Sequence, residues 1–63
     1  METNVKVAIV AGPTGGHFFP ALSIGDTLVE RGIEIKFFVP KREFIIEWLI
    51  KREYEFSIIP VVK

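Results

Sequence analysis

Cysteine is absent from the 63-residue chain, and histidine occurs once, as His17. No disulfide framework and no cysteine-based zinc site can be built. A lone imidazole makes no histidine cluster, so neither a metal nor a cofactor is expected. The missing cysteines suit a reducing compartment. Net charge is missing too, because eight Lys+Arg are matched by eight Asp+Glu. A nucleic-acid module would carry a basic excess, so no nucleic-acid partner is expected. Although 49% of the residues are hydrophobic, no apolar run approaches the ~20 residues of a membrane span. Met1-Glu2-Thr3-Asn4 has no basic start and no long apolar core, so no signal peptide is expected. What remains is a small cytoplasmic domain or a piece of one. A chain of this size buries only ~60% of the surface that its unfolded form exposes.

What is present is an ordered alternation of apolar segments. Val5 to Ala11 is short, β-branched, nearly continuous in its apolar character, and stopped by Gly12. This pattern predicts a strand covered on both faces, as in a parallel sheet. A helix is expected next, with Pro20 in its first turn, where a missing N–H costs nothing. Ala21, Leu22, Ile24, Gly25, Leu28 and Val29 recur at helical spacing. Gly25 in a helix interior costs ~1 kcal/mol relative to alanine, which close packing on a sheet would offset. Gly32 is the natural left-handed stop. Ile33 to Val39 reads as a second strand closed by Pro40, and Phe44 to Lys51 as a second helix. Phe44, Ile45, Trp48 and Leu49 share its core stripe, while Ile46 and Ile50 fall outside it. Phe56 to Val62 reads as a third strand, with Pro60 marking an edge or an end.

The fold class is therefore α/β. Residues 1–63 form a single β-α-β-α-β Rossmann-like half with a three-stranded parallel sheet. Its first strand would be a bare apolar edge. Such an edge tends to find a partner, so a homodimer through the first strand is expected.

The stretch Gly12-Pro13-Thr14-Gly15-Gly16-His17 lies between the first strand and the first helix. Glycines there let a ligand approach the backbone, and the helix end offers N–H groups and a positive dipole to an anion. Counting excludes two phosphate motifs. A dinucleotide fingerprint needs glycine at the second and fifth places after Gly12, where Thr14 and His17 stand. A P-loop needs glycine in the position of His17, followed by lysine, and neither is present.

Gly12-Pro13-Thr14-Gly15-Gly16-His17-Phe18-Phe19-Pro20-Ala21-Leu22 resembles the Gly-Gly-Thr-Gly-Gly-His-x-x-Pro-Ala-Leu motif of the MurG family. These are bacterial GT-B glycosyltransferases of peptidoglycan synthesis. The layout from Val5 to Val62 agrees with the opening of their N-terminal, acceptor-side domain. Pro13 departs from it, standing where the family usually has glycine, and it lacks a backbone donor. The resemblance implies a chain that is part of a two-domain enzyme, with the C-terminal domain missing and no activity of its own. It implies UDP-N-acetylglucosamine and a lipid-linked muramoyl-pentapeptide as partners of the parent enzyme. It also implies a peripheral position on the cytoplasmic face of the inner membrane. Gly12, Thr14, Gly15 and Gly16 would form the donor or diphosphate loop. His17 would be the catalytic residue, orienting or deprotonating the attacking sugar hydroxyl in an inverting transfer; acid–base work suits an imidazole.

Other residues have plainer readings. At least one of Phe18 and Phe19 belongs in the core. Trp48 is expected there as well. Lys41, Arg42, Lys51 and Arg52 alternate with Glu43, Glu47, Glu53 and Glu55, the pattern of a solvated mixed-charge face.

Overall fold

The computed structural model describes residues 5–60. The expectation for Met1–Asn4 and the end of the predicted third strand, Val61 and Val62, lie outside the described residues. Five elements follow one another: β1 (Lys6–Val10), α1 (Gly15–Glu30), β2 (Glu34–Val39), α2 (Glu43–Lys51) and β3 (Phe56–Ile58). The strands form a parallel sheet in the order β1-β2-β3. Ile9 stands beside Phe37, and Phe37 beside Phe56. This is the predicted Rossmann-like half.

The alternation of β2 decides how the layers stack. Ile35, Phe37 and Val39 are buried, whereas Glu34 is exposed and Lys36 and Phe38 are half-buried. The buried row meets Phe18 and Leu22 of α1 and Ile45 and Leu49 of α2 in a single core cluster. Both helices therefore cover the same face. Consecutive right-handed crossovers in one direction give this arrangement. The described residues leave the opposite face uncovered, where the sequence pattern predicts cover on both faces of β1. Ile9 is buried but Ala8 is exposed, and Val10 is 72% exposed. An apolar run signals coverage of both faces only when helices are available for both.

α1 departs from its predicted start. Pro20 is not in its first turn but is the sixth helical residue. Thr14, in an extended conformation, opens the helix early, and its carbonyl accepts the N–H groups of His17 (3.0 Å) and Phe18 (2.8 Å). Pro20 leaves the Gly16 carbonyl without its usual donor. Gly16 is exposed, so water can serve that oxygen. The far end behaves as expected. Gly32 has φ +78°, its N–H reaches the Val29 carbonyl at 2.9 Å, and the Ile33 N–H reaches the Leu28 carbonyl at 3.0 Å. Together these form a Schellman stop. α2 ends the same way around Glu53 (φ 58°), with Glu53 bonded to Ile50 and Tyr54 to Leu49.

Gly25 is the point of closest approach between helix and sheet. A Cβ there would stand 2.8 Å from Phe37 Cζ and 3.1 Å from Ile35 Cδ1. The Phe37 ring also stacks on Tyr54, with centroids 5.9 Å apart and planes 9° from parallel. Beside Gly25, Asp26 receives a bidentate ion pair from Arg52 (Nε at 3.0 and 3.2 Å, Nη2 at 3.1 Å). The Tyr54 hydroxyl also donates to Asp26 Oδ1. Arg52 is therefore not simply part of a solvated face. The Arg52 bond, and then the Tyr54 bond, hold the Asp26 carboxyl below its ordinary range. Burial, followed by the Asp26 bond, pushes the Tyr54 phenol up.

Trp48 differs from expectation. It is 38% exposed, while Ile45 and Leu49 are fully buried. The two residues one helical turn apart take the inward line, and Trp48 is left on the shoulder of α2. Its ring packs edge-on against Phe19 at 5.6 Å, and the Arg52 guanidinium lies 5.1 Å from its centroid. Phe18 is fully buried and Phe19 is 41% exposed, so one of that pair does enter the core.

Two predictions test this packing. Gly25→Ala gains helix propensity of ~1 kcal/mol but overpacks a closed contact, which costs ~1–3 kcal/mol. The net expected effect is destabilisation of about 1 kcal/mol, read as a lower urea midpoint. The second concerns pH. Asp26 in the folded chain is held below the ordinary aspartate value of ~3.9. Its contribution is fully present above that value and is lost as pH falls through the lower folded one. Asp26→Asn should lower the urea midpoint at neutral pH and flatten the acid decline. Some acid sensitivity will remain, because Lys6 similarly lowers the Glu55 carboxyl.

Candidate functional site

β1 and α1 meet at residues 11–17, at the carboxyl end of the sheet. The Ala11 N–H is anchored to the Phe38 carbonyl at 3.2 Å, so the chain leaves β1 from a fixed point. The turn then runs through Gly12 and Pro13 to Thr14, and Gly15, Gly16 and His17 form the first turn of α1. The sequence-derived loop is thus partly helical. The N–H groups of Gly15 and Gly16 precede the first intrahelical bonds and belong to the unpaired set that every helix start leaves. No acidic residue lies in this first turn to neutralise it.

The three glycines serve different ends. A Cβ on Gly12 would stand 2.8 Å from His17 Cβ and 3.0 Å from His17 Cγ, so this glycine makes room for the histidine. A Cβ on Gly15 would come within 3.3 Å of the Phe19 ring. On Gly16 it would meet only the Thr14 hydroxyl, 3.9 Å away, which leaves Gly16 as the open position of the turn. His17 is exposed, and its Nδ1 lies 2.8 Å from Thr14 Oγ1. The structure thus sets both Gly12 and Thr14 close to His17 and places Gly15 and Gly16 alongside.

Beside this turn runs a groove of about 450 Å³ lined by Pro13, Pro40, Lys41, Arg42, Ile58, Ile59 and Pro60. Its walls are the segments that follow all three strands. Ligands of open α/β sheets bind at this edge. Sequence reasoning assigned Lys41 and Arg42 to a solvated face and missed their place here. The signal was available, because in a parallel sheet the segment after the second strand must share an edge with the segment after the first. Among the described residues, no group of three or more His, Cys, Asp or Glu side chains is placed to hold a metal ion.

A parallel β-α-β-α-β unit with a glycine-rich turn at the carboxyl end of its first strand is a Rossmann-like half. Residues 7–63 match the model of the glycosyltransferase family 28 N-terminal domain, and the chain belongs to that family. Among curated proteins it is similar to UDP-N-acetylglucosamine--N-acetylmuramyl-(pentapeptide) pyrophosphoryl-undecaprenol N-acetylglucosamine transferases. Those of Rickettsia canadensis (strain McKiel) and Rickettsia felis (strain ATCC VR-1525 / URRWXCal2) are each 51% identical to it over 37 residues, covering 59% of this chain. The matched region spans 10% of the length of each of these relatives. No solved structure matches the chain.

Proposed function

We propose that the chain is the opening segment of an enzyme that transfers N-acetylglucosamine from UDP-N-acetylglucosamine to a lipid-linked muramoyl-pentapeptide. The observation that carries this reading is the turn from Gly12 to His17. It leaves open N–H groups and an exposed imidazole at the ligand-binding edge of a family 28 N-terminal domain. The names of the relatives support the choice of substrates.

In this reading Gly12, Thr14, Gly15 and Gly16 line the diphosphate, which the N–H groups of the helix start stabilise as its charge develops. Pro13 contributes shape only, having no N–H. Lys41 and Arg42, in the adjoining groove, add positive charge. His17 takes the proton from the attacking sugar hydroxyl. The oxygen of that hydroxyl bonds to the anomeric carbon while the bond from that carbon to UDP breaks, inverting the centre. The parent enzyme works on the cytoplasmic face of the membrane without crossing it through this segment. No helix among the described residues is long and apolar enough to span a bilayer.

A second reading, self-association through β1, draws on the sheet order. Among the described residues β1 pairs with β2 alone, and Val10 at its end and Val5 just before it are 72% and 57% exposed.

Two measurements test these readings. UDP-N-acetylglucosamine titrated into the labelled chain should move the amide signals of Gly12 and Thr14–His17. No UDP should be released when lipid-linked acceptor is added, because the chain supplies one side of a cleft. Unmoved signals would remove the donor-binding role, and UDP release would remove the half-site reading. Light scattering at high protein concentration should give a dimer mass, and a monomer mass would rule out pairing through β1.

A further inference from the structure

Thr14 breaks a local rule. A threonine opening a helix ordinarily turns its hydroxyl to a backbone N–H in the first turn. Thr14 has the required extended backbone, yet its side chain makes no capping bond. Its oxygen stands instead 2.8 Å from Nδ1 of His17, three residues on. The same edge of the ring also lies close to Gly12. A Cβ at position 12 would lie 2.8 Å from His17 Cβ, 3.0 Å from Cγ and 3.3 Å from Nδ1, so the ring rests against the bare backbone of Gly12. The Nδ1 edge is therefore enclosed by two groups of the same turn. Nε2, across the ring, faces away from both, on an exposed residue. Departures from local preference of this kind cluster at functional sites.

We infer that Thr14 and Gly12 are positioning residues that seat the His17 ring and present Nε2 as its working atom. The inference rests on the acid–base role proposed for His17. A base acting at Nε2 must be neutral there and carry its ring proton on Nδ1. A hydroxyl oxygen is a suitable acceptor for that proton. Thr14 is exposed, so its own hydroxyl hydrogen can be served by water. When Nε2 takes a proton from a substrate hydroxyl, the Nδ1–H bond to Thr14 persists and steadies the imidazolium. The proton then leaves from Nε2 to solvent, and the ring returns to its starting tautomer without turning over. In the proton transfer Thr14 acts through the histidine, apart from its place in the loop that lines the diphosphate.

The chain has a single histidine, so its ring nitrogens can be read directly in nitrogen-15 spectra of the intact chain at alkaline pH. A free neutral histidine prefers the proton on Nε2. The wild-type chain should show the opposite balance, with the Nδ1–H form in excess. Thr14→Val keeps the branched shape and removes the hydroxyl. It should shift the balance back to that of free histidine with α1 intact, because the lost hydroxyl makes no capping bond. Thr14→Ser should restore the wild-type balance. An Nε2–H majority in the wild type, or a Thr14→Val spectrum identical to it, would overturn the inference. Should Thr14→Val fail to fold, the wild-type spectrum alone decides. Loss of UDP-N-acetylglucosamine binding with the Nδ1–H form intact would count against the proposed function and leave the seating of His17 standing.

Discussion

The Phe37 ring against the bare backbone of Gly25 is the contact from which the rest of the molecule is placed. Phe37 lies at the centre of β2, the middle strand, and is fully buried. The tip of its ring leaves no room for a Cβ at Gly25 of α1, and a face of the ring carries Tyr54. The helix can therefore cross the sheet at only one height. Tyr54 and Arg52 then fasten the α2–β3 turn to Asp26, the residue after Gly25. A chain this small has little surface to bury, and a close aromatic contact with a half-buried ion pair beside it concentrates order where few residues are available. A bidentate arginine–carboxylate pair has the fixed geometry that isolated surface pairs lack.

The contact also sets the site. α1 is an unbroken helix of 16 residues, about 24 Å long at 1.5 Å per residue. Gly25 fixes its height on the sheet. The ten residues from Gly16 to Gly25 carry that position to the carboxyl edge, where the helix start meets the end of β1. Ala11, bonded to Phe38, holds the other side of the turn to the same middle strand. The backbone from Gly12 to His17 is thus held at both ends by β2 and its packing, and it can keep its form without residues of its own in the core. Rigid elements that position an exposed turn are what a binding site requires.

Much of this was legible in the sequence because it depends on neighbours in the chain. The order of strands and helices, the stop at Gly32 and the need for glycine at Gly25 all follow from local pattern and backbone freedom. What was not legible depends on which faces meet. Val5 to Ala11 is apolar enough for two covered faces, and only the placement of both helices on one side shows that Ala8 and Val10 are left open. Trp48 is helically in phase with Leu49 and Ile45, yet the inward line is narrower than the apolar stripe. Asp26, Arg52 and Tyr54 are 26 and 28 residues apart, and no periodicity links a helix residue to a turn so distant. The candidate turn itself was legible as a motif. Its inner arrangement was not: three similar glycines have three different neighbours, and the Thr14 hydroxyl lies beside the His17 ring without capping the helix.

The two ends of the sheet divide the labour. At the amino end, polar groups are spent on one another: Asp26 with Arg52 and Tyr54, and Lys6 and Lys36 with Glu55. At the carboxyl end they are left available. The first N–H groups of α1 are unpaired and unopposed by any carboxylate in the first turn, and Lys41 and Arg42 line a groove otherwise built of proline and isoleucine. Unpaired donors and cations at a water-filled edge cost little, because solvent serves them until a ligand arrives. Gathered at one edge they favour an anion. Stability and recognition therefore draw on separate sets of residues in a chain of 63, and α1, which carries Asp26 near one end and His17 at the other, is the element that joins them.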